Sequence, residues 1–312
     1  MKTLLTFREW IKTFYSRFEY IITPILKFIL AIIVFTTLNR QFGYMPALNK
    51  PFLIIATSAV CAFLPTEVIT VIGGGIIVAQ SFKAAPEAAI ISLVFVLIFY
   101  FGYMRFVTKT GIIALLVLIS YVFHLTFALP VVLGFVVGPS AIVPVIFGLI
   151  LYYYKNGLSD LVNVLAASAD GEESVQSFRY ILSGLLENKE MLLTIVVFTC
   201  VILITYLIYR LSFEHAWVVA FITGGLLNVV LFLIGSVTMS VDVDILSILM
   251  GSLVGVLLAL LIQFGKGIVD YQKTELLQFE DDDYYYYVKA IPKLSISESN
   301  VNVKHINFKR HE

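Results

Sequence analysis

The stretch whose reading decides the fold is Cys61-Ala-Phe-Leu-Pro-Thr-Glu-Val-Ile-Thr-Val-Ile-Gly-Gly-Gly75. It lies inside an apolar run from Phe52 to Gln80 and interrupts that run with Pro65, the acid Glu67 and three glycines. A straight helix of that length would measure roughly 44 Å at 1.5 Å per residue, against about 30 Å of bilayer hydrocarbon. The run must therefore kink, tilt steeply or turn back as a re-entrant pair. Irregular backbone at membrane depth is tolerated only where it is buried in protein or lines a wet cavity. Pro65, Thr66, Glu67, Gly73, Gly74 and Gly75 are accordingly the first candidates for a transport site.

The rest of the chain agrees with a membrane setting. Of its 312 residues 60% are hydrophobic and only 13% charged, with a mean hydropathy of +0.95. Globular domains carry about 25% charged residues, so the lipid bilayer is the first partner. A formal net charge of zero gives no footprint for nucleic acid. The two cysteines, Cys61 and Cys200, both fall in predicted spans and build neither a disulfide framework nor a zinc site. Walker A, G-x-S-x-G and H-E-x-x-H motifs are absent, so the reading assigns no catalytic residue, metal or cofactor and expects a protein that is not an enzyme. No signal peptide is read at the N-terminus, where charges recur through Glu19.

Working outward, residues 1–20 read as an amphipathic interfacial helix or as a plain cytoplasmic lead-in. Phe7, Trp10, Ile11, Phe14 and Phe18 share one face there, and Arg8, Lys12 and Arg17 are available to the other. A first membrane half, 21–156, holds spans at 21–38, 87–104 and 111–127 and the broken run 52–80. It also holds a second interrupted segment, 128–154, marked by Pro130, Gly134, Gly138-Pro139 and Pro144. Setting Pro130 on Pro65 also sets Leu129 on Leu64 and Gly138 on Gly73. Paired interruptions of this kind point to a transporter-type site at a repeat interface, although apolar sequence also matches itself easily. Pro130, Gly138 and Pro139 join the candidates on that ground.

Residues 157–190 form the one long polar stretch between spans and read as two extramembrane amphipathic helices divided by Ala169-Asp-Gly171. Their acids favour the outer face and serve as caps rather than chemistry. Three more spans, at 191–209, 213–237 and 243–263, belong to a second membrane part over 191–267. The expected fold is thus an all-α polytopic membrane protein with about eight transmembrane helices, two of them interrupted or re-entrant. Its expected place is the bacterial cytoplasmic membrane, with both termini cytoplasmic. Arg105 and Lys109 fall outside if 52–80 crosses once. They move inside, as the positive-inside tendency prefers, if 52–80 is a hairpin and 128–154 likewise returns to the side it left.

Two features point to packing or partners. Ser247, Gly251, Gly255 and Ala259 recur every four residues as a smooth ridge, suited either to packing within one bundle or to a homo-oligomer or partner-subunit seam. The cytoplasmic tail, 268–312, reads as a small β-hairpin of 273–279 with 284–291, whose four tyrosines imply a covered surface. Among single residues, Glu67 is the one acid well inside an apolar segment. Its two readings are a proton- or cation-responsive carboxylate and a capping acid on free backbone amides. His124, near the end of a span, reads as a structural histidine, with a proton relay as the alternative. Arg210, Glu214, His215 and Trp217 read as an interfacial anchor with Arg210 and Glu214 at i, i+4.

The tail Gln278-Phe-Glu-Asp-Asp-Asp-Tyr-Tyr-Tyr-Tyr-Val-Lys-Ala-Ile-Pro-Lys293, with Arg210-Leu-Ser-Phe-Glu-His-Ala-Trp217, resembles a family of multi-pass membrane proteins from anaerobic Gram-positive bacteria. The family has no mechanism attached, and its members look like transporter permeases. Pro65-Thr-Glu67 with Gly73 is also similar to the re-entrant segment of the DedA membrane family. That likeness implies proton-coupled lipid transport. The second element departs from it, for Gly138-Pro139 occurs without the arginines that family places nearby. The expected function is a transporter or permease-like subunit with its site between the interrupted segments. The alternative is a non-catalytic membrane scaffold acting through the glycine ridge and the tail.

Overall fold

Proline and glycine cut the apolar chain into helices where a backbone N–H is missing or φ turns positive. The computed structural model describes residues 2–167, 174–211, 215–266, 275–280 and 285–290. Helices follow in the order α1 (Lys2–Phe42), α2 (Pro51–Phe63), α3 (Thr66–Ala84), α4 (Pro86–Phe99), α5 (Ile112–Val122) and α6 (Leu129–Val136). Then come α7 (Ile142–Ala167), α8 (Ser174–Leu186), α9 (Lys189–Tyr209), α10 (Ala216–Met239) and α11 (Ile245–Lys266). Among the described residues seven helices are long and apolar enough to cross a membrane, against about eight expected. The chain is an α-helical polytopic protein.

Two compact units emerge, residues 20–262 and residues 1–19 with 263–312. In the smaller unit, Trp10 stacks on Phe14 at 5.5 Å and Phe14 meets Phe18 at 4.9 Å. Non-helical backbone at Phe18 kinks α1. Two strands, β1 (Glu275–Glu280) and β2 (Tyr285–Ala290), lie antiparallel there with Phe279 opposite Tyr286. The turn expected at 281–284, the tail from 291, the Ala169-Asp-Gly171 divider and Glu214 with its i, i+4 pairing lie outside the described residues.

Within the larger unit, long-range contacts fix helix directions. Lys27 donates to the Leu64 carbonyl at 3.1 Å, and Gln80 donates to Asn39 at 2.9 Å, so α1 and α3 run the same way. Met45 N–H closes on Gln80 at 2.6 Å and holds the 43–50 loop over that end. The chain between, α2, must then run back against both. Residues 52–80 are thus a helical hairpin with its tip at Leu64–Pro65. Gly74 of α3 lies against Val96 of α4, so α4 descends beside α3 and brings Arg105 and Lys109 to the end where α3 starts, near Lys27. This is the hairpin alternative of the sequence reading, and the single crossing of 52–80 is excluded.

The expected span 111–127 is corrected more strongly. Its helix, α5, has only 11 residues, about 16 Å, and ends where His124 turns to a φ of +53°. Gly148 of α7 packs on the Ala114 carbonyl and Val117, while Tyr121 stacks on Tyr152 at 3.4 Å, so α5 and α7 run in parallel. Segment α6 must therefore return. Tyr103 donates to the Ser140 carbonyl at 2.5 Å, placing the start of α7 beside the end of α4. Residues 112–136 form a second hairpin, entered from the end opposite to the first. Rather than stopping near 156, α7 continues through Gly157 to Ala167. Helices α9, α10 and α11 then alternate in direction. Gly224 meets Thr205 and Gly235 meets Leu193 across α9 and α10, and Gly225 meets Val256 across α10 and α11.

Candidate functional site

The tip of the first hairpin is built by one proline. Pro65 has no N–H and holds its neighbour out of the helical region, so Leu64 and Pro65 both adopt extended backbone (φ/ψ −93°/165° and −58°/150°). The stranded Leu64 carbonyl is satisfied by the Lys27 ammonium. Lys27 interrupts the run Ile21–Leu38 in the sequence, and that interruption was the signal by which it could have been found. Glu67 stands in the first turn of α3, where peptide dipoles favour an anion. Its Oε2 is nonetheless buried without a hydrogen-bond partner, as is the hydroxyl of Thr70 one turn on. The capping reading of Glu67 leaves that oxygen unexplained.

The three glycines after it divide by face. An added Cβ at Gly73 would lie 2.5 Å from Leu115 of α5, and one at Gly74 would lie 2.9 Å from Val96 of α4. Gly75 is exposed on the opposite face and lines the gap of about 290 Å³ between α2 and α3. Close approach, not phosphate binding, is what Gly73 and Gly74 provide.

Pro130 lies beside the tip of the second hairpin, whereas Gly138 and Pro139 lie past its far end, between α6 and α7. Pro130 is buried in the first turn of α6, matching the role of Pro65 as the start of a returning arm. Gly138 does not match Gly73: it turns the chain between α6 and α7 with φ +76° and packs on Tyr206 of α9. The two candidate groups therefore do not converge on one point. Where the hairpins do meet is along α3 and α5, through Gly73 and Leu115.

Beside that contact lies a cavity of about 240 Å³ among α3, α4, α5 and α7, lined by Thr70, Gly74, Phe95, Phe99, Ala114 and Phe147 among others. Its wall includes a π-helical turn, Tyr100–Met104, that interrupts the end of α4. Such turns often mark functional positions. Two hydroxyl-bearing residues line it, Thr70, which is 5% exposed, and Tyr100 of the π turn, which is 42% exposed.

The glycine ridge of α11 has an occupant. A Cβ at Gly251 would lie 2.8 Å from Phe127 Cβ, and one at Gly255 would lie 2.9 Å from Ala128 Cα and O. Asn228 of α10 donates to the Phe127 carbonyl at 3.0 Å and to Ser252 at 2.9 Å. The tip of the second hairpin is thus seated on α10 and α11, and the ridge packs within the bundle. Ser247 instead donates to Asp244, and Ala259 is fully buried. Among the described residues no group of His, Cys, Asp or Glu is disposed to hold a metal ion.

These features define a polytopic helical membrane protein built around two oppositely entered hairpins. No protein family, curated protein or solved structure matches the chain.

Proposed function

We propose that this chain is a membrane transport protein of the permease type, with the first hairpin and its Glu67 as the responsive element. The observation that carries the reading is the pair of helical hairpins entering from opposite ends of one bundle. Discontinuous helices in corresponding, inverted positions are where transporters build sites and place their moving parts. Glu67 supports it further, because a buried carboxylate oxygen without a partner is costly and is retained where a proton, cation or substrate completes it. The likeness of Pro65-Thr-Glu67 to a re-entrant transport segment belongs to the same reading.

A single cysteine at Glu67, in a background with Cys61 and Cys200 replaced by alanine, tests it. In sealed vesicles a membrane-impermeant maleimide should reach that cysteine, and Glu67→Gln should abolish any growth phenotype linked to the protein while leaving its melting temperature within a few degrees. Complete protection of the cysteine from both faces would remove the transport assignment.

The scaffold reading now rests on the tail alone, since the ridge it also invoked is occupied. In that reading the β1–β2 hairpin docks on a partner through its tyrosines. Deleting residues 270–312 separates the two: a transporter keeps its phenotype, whereas a scaffold loses it. For orientation, we place Arg105, Lys109 and Arg210 at the cytoplasmic face of a bacterial membrane.

A further inference from the structure

We propose that the cavity among α3, α4, α5 and α7 is a binding site for one anionic phospholipid, with an acyl chain inside it and the headgroup at Arg105 and Lys109. Occupancy is the claim, and it does not depend on whether the protein transports anything. The cavity is apolar apart from the hydroxyls of Thr70 and of Tyr100 in the π turn, and it opens between Val71, Leu97 and Phe101, three exposed side chains on the outer surface of the bundle. In a bilayer the group that faces such an opening is a lipid chain. Water is a poor occupant, because a buried water needs two to four polar partners, and of the two hydroxyls in this wall only that of Thr70 is buried.

Depth agrees with chemistry. Gly74 packs on Val96, so the antiparallel pairing of α3 and α4 sets Thr66 level with Met104, next to Arg105. Thr70 lies about 6 Å further in, and Ile77, at the inner end of the cavity, about 10 Å beyond Thr70. A bilayer has roughly 5–7 Å of interface outside each edge of its hydrocarbon. With Arg105 among the headgroups, Thr70 therefore stands where ester carbonyls meet the acyl chains. An ester oxygen there would accept the hydrogen bond that the buried Thr70 hydroxyl lacks in the bundle.

Charge points the same way. Arg105 directly follows the π turn that walls the mouth, and its guanidinium is exposed. Lys109 is exposed on the short 3₁₀ turn Thr108–Thr110, which packs near α3. Two cations at the level of the phosphate select an anionic headgroup, each contributing about fivefold near a surface.

Native mass spectrometry of the full-length protein tests this, after detergent delipidation and addition of either phosphatidylglycerol or phosphatidylcholine. Wild type should retain one phosphatidylglycerol per chain, about tenfold preferred over phosphatidylcholine. Ala114→Phe fills the cavity from within and should lower occupancy at least tenfold. Val71→Trp blocks the mouth from an exposed position, so it keeps the test valid should Ala114→Phe fail to fold. Thr70→Val should weaken binding of both lipids about equally, while Arg105→Gln with Lys109→Gln should erase only the headgroup preference. Unchanged 1:1 retention in Val71→Trp and Thr70→Val would overturn the site, as would the absence of any stoichiometric lipid on wild type.

Discussion

Single polar side chains in this bundle act where they repair a broken backbone. Lys27 and Asn228 each close a carbonyl at a hairpin tip, Leu64 in one case and Phe127 in the other. Replacing Asn228 with leucine strands the Phe127 carbonyl in an apolar setting, for a cost of about 1–3 kcal/mol. Thermal unfolding in mild detergent should show this loss, and Ser252→Ala should cost less because Asn228 keeps its bond to Phe127. If Asn228→Leu melts with wild type, the seat contributes no stability. Gly138→Ala places a Cβ at φ +76° and 2.8 Å from the Tyr206 ring, so it should destabilise by at least about 1–2 kcal/mol in the same measurement. None of the tip-closing residues was singled out in the sequence, because each is one polar residue in an apolar span. Their role depends on a partner up to 101 positions away.

At the scale of elements, the sequence shows where helices stop better than where they go. Leu64–Pro65 and Pro130 are legible because proline cannot continue an i to i−4 ladder. The direction of a hairpin is not, since Gln80–Asn39 and Gly148–Ala114 are tertiary contacts. Residues 111–127 have the composition of a span because an apolar run buried by protein looks the same as one buried by lipid. Here Val117 and Leu118 are wholly covered by other helices. Helix α11 offers a test of a local device. Asp244 precedes it, accepts from Leu246 N–H at 3.1 Å and from Ser247, and these bonds hold its carboxyl below the ordinary carboxylate range. A depressed native pKa means that the contribution is present above the unfolded value near 4 and is lost as pH falls through the native one. Asp244→Asn should therefore lose a small amount of stability near neutral pH, where wild type carries the ionised carboxylate, and converge with wild type below about pH 4. An identical acid limb in the variant would exclude the cap.

The whole larger unit has an up-and-down logic in which α1, α4, α7, α9, α10 and α11 alternate, and each hairpin is inserted where the direction is about to change. That arrangement sets Lys109 and Arg210 at one end and Asp242 at the other. Single cysteines at Lys109 and Asp242, in the cysteine-replaced background, should react with an impermeant maleimide from opposite faces of a sealed vesicle. Reaction from the same face would dismantle the two-hairpin topology.

The seat of the second hairpin also has a consequence in time. Phe127 leaves the ribosome long before Asn228, and at roughly 5–20 residues per second the 101 residues between them take about 5–20 s to make. For that interval the nascent tip has neither its hydrogen-bond donor nor the α11 groove. Something in the insertion machinery must shelter a bent, half-inserted pair of short helices until the C-terminal helices arrive. Truncation after α9 should therefore yield a product that the cell degrades rather than a smaller stable protein.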